Sequence, residues 1–339
     1  MKMGRLHIGI IGSLLLLTAC TKELSFEQGA DLPSNTSDGT LSGAGGACAN
    51  INVLGAYGQG LALDTAQNKL EVEVNFTQAG SWFIYTDTVN GVYFKGSGTI
   101  TTPGVTTVFL RGFGVPANPG PFTWNVKFKT STCSTSITVY QVATPNGSDY
   151  FPMTSNSWWT YIFTDPAATP ADTLYQLSTG KSATLTGGAT FNLFTIEDPS
   201  FKDSSWYRKA GSDYFQLGDL DLAGATDKPI IGEWIFLKDN VPGGSSWTSA
   251  EGSGSISGAP VKVRIKFDLL EKDVNVLVGN RVFANTIKVK VTQQGQLAGA
   301  TSWADVITYE TWFAKGIGLI NLAAAAPVYG FRVLKYTVN

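Results

Sequence analysis

The stretch Leu70-Glu-Val-Glu-Val-Asn-Phe76 decides the fold class of this chain, because apolar and polar side chains alternate along it without a break. Successive side chains of a strand point to opposite faces of a sheet, so the pattern predicts a strand with one buried face. The stretch Val261-Lys-Val-Arg-Ile-Lys-Phe267 has the same period of two, with basic residues in the polar positions. The sequence therefore predicts an all-β protein.

Seven short runs of this kind lie between residues 47 and 143, separated by Gly, Pro or Asn, with Asn90-Gly91 as a tight hairpin signal. Their number and spacing predict an immunoglobulin-like β-sandwich over 47–143. Thr144–Asp149 is interpreted as a linker, and residues 150–339 as a second, antiparallel β domain.

The first twenty residues have the composition of an export signal. Lys2 and Arg5 precede a short apolar run that ends in Leu17-Thr-Ala-Cys20. The run is too short to span a bilayer as a helix. The ending resembles the lipobox of bacterial lipoproteins, which implies that residues 1–19 are a signal peptide and that Cys20 is lipidated. The alternative is an ordinary secretory signal with a chance cysteine.

The segment after Cys20 indicates where the chain would be held. Thr21 stands where an aspartate would retain an enterobacterial lipoprotein in the inner membrane, so we expect the outer membrane, with the periplasmic or cell-surface side left open. Residues 20–46 are rich in Gly, Ser, Thr, Asn and Asp, a composition that predicts a flexible tether.

The two other cysteines, Cys48 and Cys133, are predicted to form a disulfide, since an even pair in an oxidising compartment usually bonds. Two free buried thiols are the alternative. The single histidine, His7, lies in the signal, so we expect no histidine-dependent catalysis or metal binding and no cofactor. A formal net charge of −2 makes nucleic acid an unfavourable partner.

Four tryptophans of the second region are candidates for stacking on a ligand such as a glycan, because sugars stack on exposed aromatic faces. These are Trp158, Trp159, Trp206 and Trp247. The alternative for each is a core position.

Acidic and basic residues offer weaker hypotheses. A glycosidase would need two paired carboxylates, and its candidates are Glu197, Asp198, Asp219, Asp221, Glu233, Glu251 and Glu310. Asp219, Asp221 and Asp227 could hold calcium, although we predict no metal site. Lys262, Arg264, Lys266, Lys288 and Lys290 form two basic stripes that we interpret as a solvated sheet face. Gly252–Gly258 is interpreted as a flexible loop.

Two sets of motifs resemble known lipoproteins. Gly55-Ala-Tyr57, Asn90-Gly91 and Cys133 before a last alternating strand resemble modules of uncharacterised outer-membrane or surface lipoproteins of Bacteroidota. The opening Trp158-Trp-Thr-Tyr161 and the closing Trp312-Phe-Ala-Lys-Gly-Ile-Gly318 resemble lipoproteins with one strongly curved antiparallel sheet or open barrel. Gly usually precedes the Trp in that opening, whereas this chain has Asn156-Ser157. The resemblance implies architecture and compartment and no activity.

We therefore expect a non-catalytic lipoprotein, anchored in the membrane through Cys20, that binds or scaffolds. Its partner would be a glycan or a protein of an outer-membrane complex. The alternatives are a carboxylate-dependent glycoside hydrolase and a carrier of lipid or apolar ligands in a curved β domain.

Overall fold

The computed structural model describes residues 35–164, 173–198, 200–221, 224–324 and 330–339. Within these ranges the chain forms strands and one short 3₁₀ turn at Thr186–Gly188, so the all-β prediction is confirmed. No described helix is long and apolar enough to cross a membrane. The predicted signal peptide and Cys20 lie outside the described residues.

The first domain is one eight-stranded antiparallel sheet wrapped into a nearly closed barrel-like sandwich. Its strands are β1 Asp38–Leu41, β2 Asn52–Leu54, β3 Lys69–Gln78, β4 Gly80–Thr86, β5 Val92–Ile100, β6 Gly104–Gly114, β7 Gly120–Phe128 and β8 Ser131–Val139. The order β1-β3-β6-β5-β4-β7-β8, with β2 beside β3, is the immunoglobulin order of two strand groups. The β4–β5 hairpin joins the two groups into one sheet.

The predicted tether is too long at its C-terminal end. Residues Asp38–Leu41 pair with β3, and both Ser37 and Leu41 are buried. Leu41 is the one large apolar residue of this strand, and a single apolar position gives no alternation from which a strand could be predicted. The first domain therefore begins before residue 47.

A disulfide between Cys48 and Cys133 closes the first sheet, as predicted. The segment before β2 runs beside β8, where the Cys48 amide donates to the Ser134 carbonyl at 2.8 Å. The Gly45 amide donates to the Thr132 carbonyl at 2.7 Å. The bridge thus joins the start of the sandwich to its last strand.

The second domain is a larger antiparallel sheet that curls into a nearly closed barrel. Its strands are β10 Trp158–Phe163, β11 Thr173–Thr184, β12 Thr190–Glu197, β13 Lys202–Ala210, β14 Asp213–Asp219, β15 Ile231–Lys238, β16 Ser246–Thr248, β17 Gly252–Ile256, β18 Ala259–Val278, β19 Arg281–Leu297, β20 Ala304–Ala314, β21 Gly318–Ala324 and β22 Phe331–Thr337, together with the short β9 Gln141–Val142. The order runs β15-β14-β13-β12-β11-β10-β22-β21-β20-β19-β18-β16. This curvature agrees with the architecture that the resemblance implied.

The connection between the domains is held by hydrogen bonds along its length. β9 pairs in parallel with the start of β19, and the Asn146 amide donates to the Gly316 carbonyl at 2.8 Å. The Gly316 amide donates in turn to the Asp149 carbonyl at 2.7 Å. A Cβ at Gly316 would lie 2.6 Å from the Gly147 carbonyl oxygen, so only glycine permits this close approach. The predicted linker is therefore part of the second domain's surface.

Candidate functional site

Inward-facing side chains of the second sheet line up in register across the neighbouring strands β18, β19 and β20. Phe267 of β18 pairs with Val291 of β19, and Val291 pairs with Tyr309 of β20. Gln293, two residues further along β19, pairs with Ile265 on the same inner face. Because the strand period is two, each such row points toward the barrel interior.

The barrel interior contains a cavity of about 360 Å³ that opens to solvent. Nine of the twenty lining residues are aromatic and six are aliphatic, so the wall is mainly apolar. The volume falls within the range of small-molecule sites, about 300–1,000 Å³. Five further lining residues carry a hydroxyl, amide or carboxylate: Gln176, Gln216, Asp219, Gln293 and Thr311.

The Gln293 side chain is unusual among the polar groups of the wall. Its Oε1 atom is shielded from solvent and has no hydrogen-bond partner among the described residues. Gln176, in contrast, accepts a hydrogen bond of 3.1 Å from the Tyr161 hydroxyl. Gln293 thus has an acceptor without a partner, and that acceptor lies behind the surface of a mainly apolar wall.

Three tyrosines contribute phenol groups to the same wall. Burial raises the pKa of Tyr207 and of Tyr309 to about 12. Burial also raises the pKa of Tyr161 well above its usual value of about 10. All three phenols are therefore neutral near pH 7 and offer O–H groups rather than phenolates.

Asp219 is the one carboxylate among the described lining residues, and backbone groups hold it at the rim. Its Oδ1 accepts hydrogen bonds from the amides of Ile230, at 2.7 Å, and Asp221, at 3.0 Å. Asp227 accepts bonds from the Ser255 hydroxyl and the Gly258 amide instead. The three aspartates of the calcium hypothesis therefore organise loops, and no described group of three metal-type ligands includes them.

The other acidic candidates are engaged outside the cavity. Glu197 pairs with Lys202 at 2.7 Å, Glu233 with Arg208, and Glu251 with Lys262 at 3.0 Å. The remaining two accept hydrogen bonds from neighbours: Asp198 from Ser200, and Glu310 from Trp312 at 3.1 Å.

The four stacking candidates are not brought together. Trp159 is 2% exposed, and its Nε1 donates to the Ile317 carbonyl at 2.6 Å, so the prediction that it stacks on a ligand is wrong. Trp247 lies flat against Phe267, with ring centroids 5.5 Å apart. Trp158 and Trp206 are half-buried, and their stacking role stays a prediction.

Trp247 also closes the barrel. It lies on β16, at one end of the strand order, and its Nε1 donates at 2.7 Å to the Ile235 carbonyl on β15, at the other end. One face of the indole covers Phe267, which lines the cavity. The residue therefore links the two edges of the sheet beside the candidate site.

The basic stripes lie on the outer face of the sheet, as interpreted from sequence. Lys266 pairs with Asp268 at 2.9 Å, and Lys288 pairs with Glu271 at 2.8 Å. The guanidinium of Arg264 lies 4.1 Å from the centre of the Trp303 ring.

The interpretation of Gly252–Gly258 as a flexible loop is wrong. Gly252–Ile256 forms β17, which pairs with β18. A Cβ at Gly252 or Gly254 would lie within 2.6 Å of the Ile230 side chain, so the glycines make room for Ile230 in a strand.

One local sequence pattern indicates a polar group inside the barrel, although the overall composition does not show it. Along Ile287-Lys-Val-Lys-Val-Thr-Gln293, every second residue is apolar until Gln293 takes the inward position. A polar residue in the register of a buried face is the pattern of a polar group inside a core or cavity. Alternation alone does not show whether the sheet closes, so it cannot show that space remains there.

Comparisons with known proteins add little to this geometry. No protein-family model matches the chain, and no curated protein matches it. A crystal structure described as a "putative lipoprotein" from Parabacteroides distasonis ATCC 8503 is similar at 12% identity with a TM-score of 0.35. The similarity covers 57% of this chain and 100% of that chain.

Proposed function

We propose that this chain is a membrane-anchored, non-catalytic lipoprotein whose second domain binds a small, uncharged and mainly apolar ligand. The observation that carries the proposal is the cavity of about 360 Å³ inside the barrel, which opens to solvent and is lined mainly by aromatic and aliphatic side chains. The lipid on Cys20 would hold this binding domain near an outer-membrane surface, on either the periplasmic or the external side.

The unpartnered acceptor indicates what the ligand must supply. A buried polar group without a partner costs about 1–3 kcal/mol of folding free energy. Because Oε1 is shielded from solvent, a ligand N–H or O–H group would reach it once the Gln293 side chain turns toward the cavity, and the new hydrogen bond would recover that cost. We therefore infer a ligand with at least one hydrogen-bond donor on an apolar or aromatic body.

The remaining wall favours a neutral ligand over an ion. None of the described lining residues is Lys, Arg or His, so an anion would find no counter-charge there. Asp219 stands at the rim with its Oδ1 engaged by two amides. A charged ligand would lose its hydration without compensation in such a site.

Binding is better supported than glycoside hydrolysis. A glycosidase places two carboxyl groups about 5–10 Å apart across its substrate, and Asp219 is the single carboxylate of the described wall. Glycan capture or a role in an outer-membrane complex would instead depend on outer surfaces, including Trp158 and Trp206.

The proposal is tested with a neutral fluorescent amine, N-phenyl-1-naphthylamine, which joins an apolar body to one N–H donor. We expect saturable fluorescence enhancement with the full chain. Gln293→Leu should weaken binding about 3- to 10-fold, the value of one hydrogen bond. Leu319→Trp, which fills the cavity, should abolish binding.

Gln296→Leu is the matched control, since it makes the same change on the outer face of the same strand. It should leave the affinity within a factor of two. If Leu319→Trp binds the probe as well as the parent chain while remaining folded by circular dichroism, the cavity is not the binding site and the proposal fails.

A further inference from the structure

We propose that the outer face of the first domain is a second binding surface, independent of the cavity, and that it takes an acidic polysaccharide. The surface is a row of five side chains, one from each of five neighbouring strands: Lys69, Arg111, Lys95, Tyr85 and Lys127. We call it the basic row.

Strand register aligns the members of the basic row. Lys69 of β3 pairs with Arg111 of β6, and Arg111 pairs with Lys95 of β5. Lys95 pairs with Tyr85 of β4, and Tyr85 pairs with Lys127 of β7. Neighbouring strands lie about 4.8 Å apart, so the row extends about 19 Å across the sheet.

The basic row lies on the outer face because its members alternate with core residues. Leu70, Phe94, Leu110 and Val126 each follow or precede a member of the row, and all four are fully buried. Side chains one residue apart on a strand point to opposite faces. Lys69, Arg111 and Lys95 thus share the outer face of one strand group, and Tyr85 and Lys127 continue the row onto the outer side of the other group.

Aromatic rings flank the basic row on both sides. Phe83 stacks on Tyr85 with ring centroids 5.5 Å apart, and Tyr93 stacks on Phe113 at 5.4 Å. Phe109, 51% exposed, stands beside the row. Phe83 is buried, so Phe109 and the half-buried Tyr93 and Phe113 supply the apolar surface next to the charges.

Between these rings lies a shallow groove of about 380 Å³. Gly96 forms part of its lining, and a Cβ there would lie 2.3 Å from the Phe109 carbonyl oxygen. Lys95 and Arg111 also line the groove. The Lys95 ammonium lies 5.0 Å from the centre of the Phe113 ring, so charge and ring face the same space.

Glu71 shares this face and pairs in register with Phe109, Glu73 lies two residues further along β3, and Asp87 lies two residues beyond Tyr85. Glu71, two residues from Lys69, accepts a hydrogen bond from Asn52 at 2.8 Å. Glu73 accepts from Ser42 and Asp87 from Asn125, each at 2.7 Å.

Neither Lys69 nor Arg111 forms an ion pair with a carboxylate among the described residues. Lys69 and Arg111 therefore offer positive charge to a ligand.

The combination matches an acidic polysaccharide. Pyranose rings stack on aromatic faces, and carboxylate or sulfate groups pair with Lys and with the planar fork of Arg. A chain of sugars presents these groups in linear repetition, as the basic row presents its cations. A membrane surface would require anionic headgroups instead, and the test distinguishes the two.

The experiment is affinity electrophoresis of the full chain in gels containing polygalacturonate, with neutral dextran as the comparison. We expect retardation by polygalacturonate alone. Lys69→Gln/Arg111→Gln should weaken it at least about tenfold through loss of two charge-assisted contacts. Phe113→Ala should weaken it without changing its salt dependence.

Lys228→Gln/Lys335→Gln, a pair of exposed lysines of the second domain, removes the same charge and should leave retardation within a factor of two. Circular dichroism verifies the fold of each variant. Equal retardation by dextran, or unchanged retardation of the Lys69/Arg111 variant, overturns the proposal. Binding to phosphatidylglycerol vesicles without binding to polygalacturonate also overturns it.

Discussion

The indole Nε1 of Trp159 donates a hydrogen bond of 2.6 Å to the carbonyl oxygen of Ile317. This contact joins the first long strand of the second domain to the turn before β21, 158 residues later. Gly318 lies directly beneath the ring, where a Cβ would come within 3.2 Å of the same nitrogen. The opening tryptophan motif and the closing glycine motif are therefore one structural unit.

Trp159→Phe should destabilise the protein by at least about 2 kcal/mol, because it removes volume and leaves the Ile317 carbonyl without its donor. Urea unfolding of the full chain would measure the change. Trp158→Phe, the neighbouring ring on the opposite face, should cost less than about 1 kcal/mol. Equal losses in the two variants would contradict the role assigned to Trp159.

The sequence predicts strands where alternation is regular and fails where bulges interrupt it. Alternation predicts a strand at Val261–Phe267, whereas the structure has one longer strand, Ala259–Val278. Register shifts between Leu269 and Val274 place extra residues in β18, and these break the period of two. A pattern based on strict alternation ends at such a bulge although the strand continues.

The candidate site was less predictable than the fold because it depends on closure. Alternation along Val261–Phe267 predicts which side chains of β18 face inward, whereas the inward position of Gln293 on β19 emerges from the structure. The space between them depends on how far the sheet curls and on the hydrogen bond from Trp247 to Ile235. Neither the curl of the sheet nor this hydrogen bond affects local periodicity. The sequence therefore suggests ligand stacking for Trp247 and gives no sign that it closes the barrel.

The disulfide between Cys48 and Cys133 should stabilise the first domain strongly. It closes a loop of 85 residues, for which loop entropy predicts about 4–5 kcal/mol. We expect Cys48→Ala/Cys133→Ala to lower the unfolding free energy of the first domain, measured from amide hydrogen exchange in its strands at increasing urea concentration. An equal decrease when the parent chain is reduced would assign the loss to the bridge, whereas unchanged stability would contradict it.

Trp247→Phe should weaken the seam of the barrel, which is the contact between its two edge strands, β15 and β16. The variant keeps a ring against Phe267 but loses the hydrogen bond to the Ile235 carbonyl. Amide hydrogen exchange in Ile231–Lys238 should therefore become faster. Trp303→Phe, which changes a ring packed on Arg264 outside the barrel, serves as the control. Unchanged exchange in β15 would show that the seam does not depend on Trp247.

Stability should fall at alkaline pH because of the cavity tyrosines. Burial raises the pKa of Tyr207 and Tyr309 to about 12, above the unfolded value of about 10. Below pH 10 both tyrosines are protonated in the folded and in the unfolded state, so they do not lower the free energy of unfolding. Between pH 10 and about 12 they lose protons in the unfolded state alone, so the free energy of unfolding falls. Tyr309→Phe should flatten this decline in urea titrations, and an identical slope would contradict the assignment.

Gln293→Leu should raise the stability of the ligand-free protein although it weakens binding. The substitution replaces an inaccessible carbonyl oxygen without a partner by a methyl group of similar reach, and removing such a group is worth about 1–3 kcal/mol. Thermal unfolding should therefore shift upward, while Gln296→Leu on the outer face should leave it unchanged. A decrease in stability would mean that Gln293 is satisfied in the folded protein. The opposite signs expected for stability and for affinity identify Gln293 as a residue suited to a ligand rather than to folding, since selection for stability alone would favour an apolar side chain there.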